Sequence, residues 1–412
     1  MSSSLVSAQN RVESPFIIVK IGKYTFGHCS DIAGKHRMKQ SGIVTYPNFM
    51  QSLRIIKING AVNTYTLVMD YAITSVDDPN LLEKVFSSVA STRKITLSYG
   101  DWNAPSYIYK EEEAIITKIQ SQTNFNESKI TYTIQCVSSA LNLTVGTFSF
   151  PTRNAKPSDV LKELLSNEAY GLSNVFPGMS NMSSVGLKSL IAGDDKSVRI
   201  EAKQGISILD YMGYLVSCMV STSDKGGPIK DANYFWSVYD DVTNEFGGTY
   251  FKVVKVPANV KFNLSSDTFE VDVGYPTGNY VSSFVVQSDD TWSILYNYSE
   301  KIKQPEYSYR VDDNGSVVSY KSPIVTQDSS TMNTSESSKT WWTQMTQYPI
   351  KATLTIKGLL RPTLLMSYVK VNAYFYGRKH ISSGLYIITK QEDSIGASGY
   401  RTTLNLTRVG GD

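Results

Sequence analysis

The chain has 412 residues, of which 41% are hydrophobic and 11% aromatic, a composition typical of a folded protein that excludes an intrinsically disordered one. The formal net charge of +3 is too small to indicate a nucleic-acid-binding surface. A chain of this length is expected to form about two to four domains.

The N-terminal third of the sequence predicts a β-domain with one helix. Residues 1–13 are rich in serine and are expected to form a flexible N-terminal arm. A strand pattern follows, including Thr64 to Ile73, and Asp77-Asp78-Pro79 then supplies a cap and a first-turn proline for a helix at about 79–91. We therefore predict that residues 14–150 form the first β-domain, with this helix laid against it.

The middle of the sequence changes in character and predicts an α+β domain over residues 151–273. Pro157-Ser158-Asp159 begins one amphipathic helix, and the apolar spacing from Ile208 to Met219 indicates a second. Strand patterns follow at Tyr234 to Tyr239 and at Thr249 to Val256. We expect this domain to be inserted between two β-domains.

Residues 274–412 predict a second β-domain that carries a long polar insertion. Residues 300–338 are dominated by Ser, Thr, Asp, Asn and Lys, and they are expected to form a mobile loop or a protruding hairpin. The pair Trp341-Trp342 follows. Either one of these side chains packs inward while the other contacts a neighbouring chain, or both belong to the core.

Four strand-like segments recur in the same order near the two ends of the chain. They are Thr64–Asp70, Lys94–Gly100, Ile115–Lys118 and Lys129–Cys136 in the first copy, and Lys351–Lys357, Val371–Gly377, Ile387–Lys390 and Gly399–Leu406 in the second. Because alternating strands resemble one another, a chance match is the alternative. A true duplication predicts that residues 64–136 and 352–406 superpose as the same sheet, the first with an added helix.

The cysteines and the N-terminus predict a soluble protein that folds in a reducing compartment. The three cysteines, at positions 29, 136 and 218, are widely spaced and show no CxxC pattern, so a disulfide framework is not expected. Met1 to Gln9 lacks the basic run and apolar core of a signal peptide. The longest apolar stretch, Ile206 to Val220, is shorter than the ~20 residues that a membrane span needs.

No residue pattern indicates catalysis, a cofactor or a metal ion. His28, Cys29 and His36 lie close in sequence, but their spacing fits no tetrahedral metal site. The sequence has no HExxH, GxSxG, GxxxxGKS/T or GxGxxG motif. Asp194-Asp195 and similar pairs fit loops or caps, and Glu111-Glu112-Glu113 is expected to be a solvated strand end. We therefore predict no catalytic, cofactor-binding or metal-ligating residue, no cofactor and no enzymatic activity.

The C-terminal strands resemble the closing domain of the baseplate hub proteins of tailed bacteriophages, which are related to the N-terminal part of type VI secretion spike proteins. The resemblance depends on four runs: Ala352–Gly358, Tyr368–Val371, Ser382–Ile388 and Gly399–Arg408. It implies an α+β, mostly β fold, in which two tail-tube-like antiparallel β-barrel or sandwich domains are separated by an α+β insertion domain. It also implies a ring of three chains whose six tube-like domains match a sixfold tube and a threefold spike.

The same resemblance implies the partners and the location of the protein. We expect a homotrimer that contacts the tail tube protein hexamer, a separate trimeric central spike protein, the tape measure protein and baseplate wedge proteins, with DNA only in transit through the lumen. It would be assembled in the host cytoplasm and lie in the tail baseplate of the virion. The alternatives are a carbohydrate- or receptor-binding tail component and a tail-associated cell-wall hydrolase.

Overall fold

The computed structural model describes most of the chain, and its elements confirm the predicted α+β, mostly β fold class. The described residues are 14–29, 36, 39–40, 50–72, 80–89, 92–101, 110–166, 190–223, 232–239, 250–257, 260, 268–274, 281–288, 308–311, 317–320, 350–358, 364–396 and 398–410. The predicted arm at 1–13, the cap Asp77-Asp78-Pro79 and the pair Trp341-Trp342 lie outside them. No helix among the described residues is long and apolar enough to span a membrane.

The first module is an antiparallel sheet of seven strands with one helix. Its strands are β1 (Pro15–Ile21), β2 (Tyr24–Cys29), β3 (Met50–Ile58), β4 (Thr64–Ala72), β5 (Lys94–Asp101), β6 (Lys110–Asn124) and β7 (Lys129–Ser138). Helix α1 (Leu81–Ser87) lies between β4 and β5 in the chain, and its Val85 is buried in the core of this module. Alternate residues of β4, such as Leu67 and Met69, also point into this core, as period-two patterning requires.

The middle of the chain combines short strands with two helices. These elements are β8 (Phe148–Phe150), β9 (Arg153–Ala155), α2 (Pro157–Ser166), β10 (Val198–Ile200), β11 (Lys203–Ile206), α3 (Ile208–Ser217), β12 (Ala232–Tyr239) and β13 (Tyr250–Pro257). The side chain of Ser207 caps α3 by accepting a hydrogen bond from the backbone N–H of Asp210 at 3.1 Å. The buried faces of α2 and α3 form a separate core with Phe150, Phe251 and Val253.

The second module contains the remaining strands. They are β14 (Thr268–Val273), β15 (Val281–Ser288), β16 (Ser308–Val311), β17 (Val317–Tyr320), β18 (Ile350–Lys357), β19 (Tyr368–Phe375), β20 (Arg378–Lys379), β21 (Gly384–Gly396) and β22 (Gly399–Gly410). In the predicted insertion at 300–338, the described part is a separate antiparallel hairpin of β16 and β17. The other strands of this module join those of the first module in one 14-stranded sheet, which forms no closed barrel among the described strands.

Candidate functional site

The two modules have the same strand order. Neighbouring strands run β3-β4-β7-β6-β5 in the first module and β15-β18-β22-β21-β19 in the second, and every one of these pairs is antiparallel. The duplication predicted for residues 64–136 and 352–406 is therefore confirmed in strand order. The outer strands differ, because β1 pairs antiparallel with β5 whereas β14 pairs parallel with β19.

Both modules contain the same β-bulge in the repeated Ile-Ile-Thr-Lys sequence. The residue skipped by the pairing is Thr117 in β6 and Thr389 in β21. The hydroxyl of Thr117 donates to the carbonyl oxygen of Gln135 at 3.1 Å, and that of Thr389 donates to the carbonyl oxygen of Asn405 at 3.2 Å. The repeated sequence therefore encodes a bulge whose threonine bonds back to the opposite strand, and such bulges bend and twist a sheet.

A second bulge also recurs at corresponding positions. The register between β3 and β4 shifts between Met50 and Ser52, and the register between β15 and β18 shifts between Val281 and Ser283. A bulge bends a strand locally, so bulges at matching places bend the corresponding strands of the two modules at the same points. The modules thus repeat a three-dimensional form and not only a sequence pattern.

One segment of the predicted repeat was aligned wrongly. The register places Tyr368, and not Val371, in the position of Lys94, since each lies opposite the first isoleucine of the repeated Ile-Ile-Thr-Lys. The shared Tyr-Gly dipeptide caused the error. Tyr99-Gly100 lies inside a strand, whereas Tyr376-Gly377 forms a turn with φ angles of 50° and 75°.

The two modules join edge to edge. Strand β3 pairs antiparallel with residues 390–396 of β21, on the edge of β21 that faces away from β22. Ile395 and Tyr400, which belong to the second module, complete the core of the first. At Gly396 an added Cβ would lie 2.7 Å from the carbonyl oxygen of Gln51, so only glycine allows the backbones to approach this closely. We call this β3–β21 contact the intrachain junction.

An ion pair crosses the outer face of the intrachain junction. The guanidinium of Arg54 in β3 donates to the carboxylate of Glu392 in β21 at 2.7 Å, and Lys390 lies 3.1 Å from the same carboxylate. Burial pushes the pKa of Glu392 up, but the hydrogen bonds from Arg54 and Lys390 outweigh burial and hold that pKa below its usual value.

A buried charged network lies beneath the intrachain junction. The carboxylate of Glu112 accepts hydrogen bonds from the ammonium of Lys57 at 2.5 Å, from the hydroxyl of Tyr65 at 2.6 Å and from the hydroxyl of Tyr99 at 2.6 Å. These four side chains come from β3, β4, β5 and β6, so one carboxylate ties four strands together. Burial raises the pKa of Tyr99 well above its usual value, and the nearby charge of Glu112 adds to that effect.

The expectation of a solvated strand end at Glu111-Glu112-Glu113 was wrong for Glu112. Its side chain is 1% exposed. The available signal was the alternation along β6, in which Glu112 shares the core-facing side with Ala114 and Ile116. A lone carboxylate would be costly there, and no local pattern identifies Lys57 as its partner.

The second module contributes a neighbouring buried polar group at Asp393. Its carboxylate accepts hydrogen bonds from the side chain of Gln391 at 2.8 Å and from the hydroxyl of Thr402 at 2.7 Å. Gln391 in turn accepts a hydrogen bond from the backbone N–H of Leu364 at 2.8 Å. Burial raises the pKa of Tyr400, and Asp393 adds to this rise. These contacts stabilise the intrachain junction.

The acidic pair Asp194-Asp195 has structural partners. Asp195 accepts a hydrogen bond from the backbone N–H of Ser158 at 2.9 Å and so caps the start of α2. Asp194 forms an ion pair with Lys255 and accepts a hydrogen bond from the hydroxyl of Tyr234 at 2.9 Å. The two carboxylates therefore stabilise the middle domain.

The cysteine and histidine residues considered as ligands are not brought together. Cys29 is buried 3.6 Å from the hydroxyl of Ser14, whereas His36 is exposed and lies 3.1 Å from Gln40. In the described ranges, no group of three His, Cys, Asp or Glu side chains could hold a metal ion. Burial raises the pKa of Cys136 to about 12, so its thiol is held in the unreactive protonated form.

Three solved structures are similar to this chain. The 43 kDa tail protein of prophage MuSo2 from Shewanella oneidensis has a TM-score of 0.51 and 11% identity, with 96% of this chain and 99% of that chain covered. A tail protein from Neisseria meningitidis MC58 has a TM-score of 0.48 and 9% identity, with coverages of 96% and 97%. A type VI secretion system component from E. coli has a TM-score of 0.42 and 8% identity, with coverages of 89% and 76%.

The likeness at these identities concerns the fold. No protein-family model matches the sequence, and no curated protein gives a significant match. The similarity to the prophage MuSo2 protein extends over nearly the whole length of both chains. The chain therefore shares its fold with this prophage tail protein, which agrees, for the fold, with the resemblance stated for its C-terminal strands.

Proposed function

We propose that the protein is the central hub of a phage tail baseplate, a structural component and not an enzyme. The observation that supports this most directly is the duplicated sheet, because two modules with the same strand order and the same two bulges lie edge to edge in one chain. Three such chains around an axis would present six similar modules. That number suits a sixfold tail tube on one side and a threefold spike on the other.

The proposed assembly is a homotrimer placed between other tail proteins. It would contact the tail tube hexamer, a separate trimeric central spike protein, the tape measure protein and baseplate wedge proteins. It would be built in the host cytoplasm and reside in the tail baseplate of the virion. The fold shared with a prophage tail protein supports this location.

One face of the joined sheet has the chemistry expected of a channel wall. Away from the cores, the central strands present partly exposed neutral polar side chains, namely Thr66, Thr133, Thr353, Thr355, Thr403 and Asn405. Thr355 and Thr403 lie opposite each other with their hydroxyl oxygens 3.3 Å apart. Arg54, Lys390 and Glu392 lie on the same face at the intrachain junction and pair with one another, so the neutral polar character belongs to the strands on either side of it. Such stretches offer neither cations to hold DNA phosphates nor apolar patches to hold an unfolded protein. We propose that this face lines the lumen through which tape measure protein and DNA pass.

Mass photometry of the purified chain, alone and with its tube and spike partners, tests the hub proposal. We expect a particle of three times 45.8 kDa. Electron-microscopy class averages of that particle should show threefold symmetry and six similar lobes. A chain that stays monomeric even beside both partners would refute the trimeric hub.

The two alternative functions have their own tests. A receptor-binding tail component would give reproducible hits on a glycan array, and a cell-wall hydrolase would clear peptidoglycan in a zymogram. Either result would replace the proposal of a purely structural hub.

A further inference from the structure

Two strand edges are the open counterparts of the intrachain junction. Residues 118–124 of β6 correspond to residues 390–396 of β21, since both follow the bulge of the repeated Ile-Ile-Thr-Lys. Strand β15 corresponds to β3, since both carry the second bulge. In the part of the chain that the structure describes, no strand pairs with residues 118–124 on the edge away from β7, and none pairs with β15 on the edge away from β18.

Burial differs sharply between these corresponding positions. The core-facing side chains of β21 at the junction are buried, whereas their counterparts in β6 are exposed; the pairs are Gln391 and Ile119, Asp393 and Ser121, and Ile395 and Thr123. On the other side of the junction, Ile55 in β3 is 0% exposed, whereas its counterpart Val286 in β15 is 37% exposed. The same position is covered where a neighbouring strand is present and uncovered where none is described.

Apart from Lys118 at the start of the first edge, both open edges lack the features that normally protect a strand edge. Residues 119–124 read Ile-Gln-Ser-Gln-Thr-Asn and residues 283–288 read Ser-Phe-Val-Val-Gln-Ser, with no charge and no proline in either segment. Proteins usually place lysine, proline or a covering element on edges that stay unpaired, because a bare edge pairs with other chains. The exposed apolar side chains Ile119, Val285 and Val286 add to this tendency. These two segments therefore have the composition of strand edges that pair with another strand.

We propose that β15 of one copy of this chain pairs antiparallel with β6 of a second copy and thereby repeats the intrachain junction between chains. The proposal rests on the trimeric hub proposed above and defines how its subunits meet. The registers of the intrachain junction and of the two bulges fix the expected partners. They are Ile119 with Ser288, Gln120 with Gln287, Ser121 with Val286, Gln122 with Val285, and Thr123 with Phe284.

The pairing ends before Asn124. This residue corresponds to Gly396, where an added Cβ would lie 2.7 Å from a backbone oxygen of the facing strand. Asparagine has a Cβ, so the closest approach seen in the intrachain junction is not available between copies. The interchain ladder is therefore restricted to residues 119–123 and their partners.

The charges beneath the two junctions differ in a coordinated way. Lys57, Glu112 and Asp393 are buried beneath the intrachain junction. Their counterparts by register are all uncharged, namely Ser288, Gly384 and Ser121. One cation and two anions are thus all replaced by uncharged residues. At these three positions, no charge has to be removed from water when two copies meet. Neutral, partly apolar strands suit an interface that has to form between separately folded chains.

The arrangement can close into a ring that pairs both of these edges. Each chain offers one β6-type edge and one β15-type edge, so the contact is head to tail, and such contacts form a ring when the rotation between copies closes. In a trimer all three interfaces are the same, and both exposed edges of every chain are covered.

Engineered disulfides test the register directly. Residues directly opposite in antiparallel strands have Cα atoms roughly 4.5–5.5 Å apart, within the range that a disulfide bridges. We would combine Gln122→Cys with Val285→Cys, a pair on the outer face, and replace the partly exposed Cys218 by serine. The matched positive control combines Arg54→Cys with Ser394→Cys, which face each other in the intrachain junction.

The proposal predicts a specific pattern on a non-reducing gel after treatment with a mild oxidant. The Gln122→Cys and Val285→Cys chain should form disulfide-linked dimers and trimers. The positive control should form its disulfide within one chain and stay monomeric on the gel. A register control combines Gln120→Cys with Val285→Cys. It should give at least about tenfold less disulfide-linked dimer and trimer, because diagonal partners lie roughly 7–8 Å apart. A ladder longer than three copies would support the strand pairing but overturn the trimer.

Other outcomes separate the two proposals. Trimers in mass photometry without the Gln122–Val285 cross-link, or with a stronger cross-link in the register control, would overturn the inferred pairing and leave the trimeric hub standing. A folded chain that forms neither cross-links nor trimers, even beside its tube and spike partners, would overturn both.

A charge substitution provides a second, independent measurement. Val286→Lys places a charge on the face that the interface would bury, so we expect the midpoint concentration for trimer formation to rise by at least about 100-fold. Val285→Lys is the matched control, because its counterpart Arg54 is a tolerated exposed cation at the intrachain junction. Equal effects of the two substitutions, with both monomers folded by circular dichroism, would overturn the pairing.

Discussion

Replacing Glu112 by glutamine should strongly destabilise the first module. The side chains of Lys57 and Glu112 are only 2% and 1% exposed, so their charges are almost fully removed from water. Glu112→Gln keeps the size of the side chain but removes the negative charge bonded to the Lys57 ammonium. Removing one partner of a buried ion pair typically costs about 3–5 kcal/mol. Against a typical total stability of about 5–15 kcal/mol, that is a large fraction.

Hydrogen exchange read by mass spectrometry is the suitable assay. A protein with several cores need not unfold in one step, and exchange reports the free energy of opening for each segment. We expect peptides from β3, β4 and β6 to lose protection by about 3–5 kcal/mol in Glu112→Gln, with little change in α2 and α3. The neighbouring exposed Glu113 provides the control, since Glu113→Gln should change stability by no more than ~0.5 kcal/mol.

A double-mutant cycle determines whether Lys57 and Glu112 act as a pair. Lys57→Met alone leaves a buried carboxylate that keeps its tyrosine donors, and it should also be destabilising. The free energy of opening should fall in the double variant by less than the sum of the falls in the two single variants, and the difference should be ~2 kcal/mol or more. Additive losses, or a cost below about 1 kcal/mol for Glu112→Gln, would refute the view that this ion pair ties the strands together.

Four further substitutions probe the repeated bulge and the intrachain junction. Thr389→Val should cost about 1 kcal/mol in urea unfolding, because its hydroxyl bonds to the opposite strand, and Thr117→Val should cost less, because water can replace the bond at that exposed site. The folded pKa of Glu392 lies below the usual 4.5, so its ion pair with Arg54 should stabilise the junction above that pH and be lost as the pH falls through the lower folded value. Arg54→Met should reduce this acid dependence by roughly 0.2–1 kcal/mol, as is usual for so exposed a pair, while Lys390 retains the rest. Gly396→Ala should cost about 1–3 kcal/mol and weaken protection of β3, and an unchanged exchange rate there would contradict the close approach.

The sequence predicted the repeated strands because their pattern is local. Leu67 and Leu354 occupy the same core position of corresponding strands, and each lies in a run of alternating residues that can be recognised without the fold. The helix predicted at 79–91 and the one found at Leu81–Ser87 agree for the same reason. Thr117 and Thr389 belong to the repeated Ile-Ile-Thr-Lys sequence, but their role in a bulge depends on the register of two paired strands.

The intrachain junction could not be predicted from the sequence. Arg54 and Glu392 are 338 positions apart, and no local pattern indicates which of many strand edges will meet. Lys57 illustrates the difficulty, since a lysine in a strand is normally read as a solvent-facing residue. Its burial becomes intelligible only when Glu112 is placed beside it by the packing of β3, β4, β5 and β6.

The different chemistry of the intrachain junction and of its proposed interchain counterpart would also keep them from exchanging partners. If β15 of a second copy displaced β3 from β21, Val285 would replace Arg54, and the carboxylate of Glu392 would lose the guanidinium that now lies 2.7 Å from it. The core of the first module would also lose Ile395 and Tyr400, which now cover it. Conversely, β3 placed on β6 of a neighbour would bring Arg54 beside Gln120 and Gln122, which offer no carboxylate, and Asn124 into the position of Gly396, where a Cβ does not fit. Discrimination therefore comes from the cost of the wrong pairing as much as from the gain of the right one. The edge of β21 resembles that of β6, and the edge of β3 resembles that of β15. The chain can in this way pair β3 with β21 as it folds and then join its neighbours through β6 and β15.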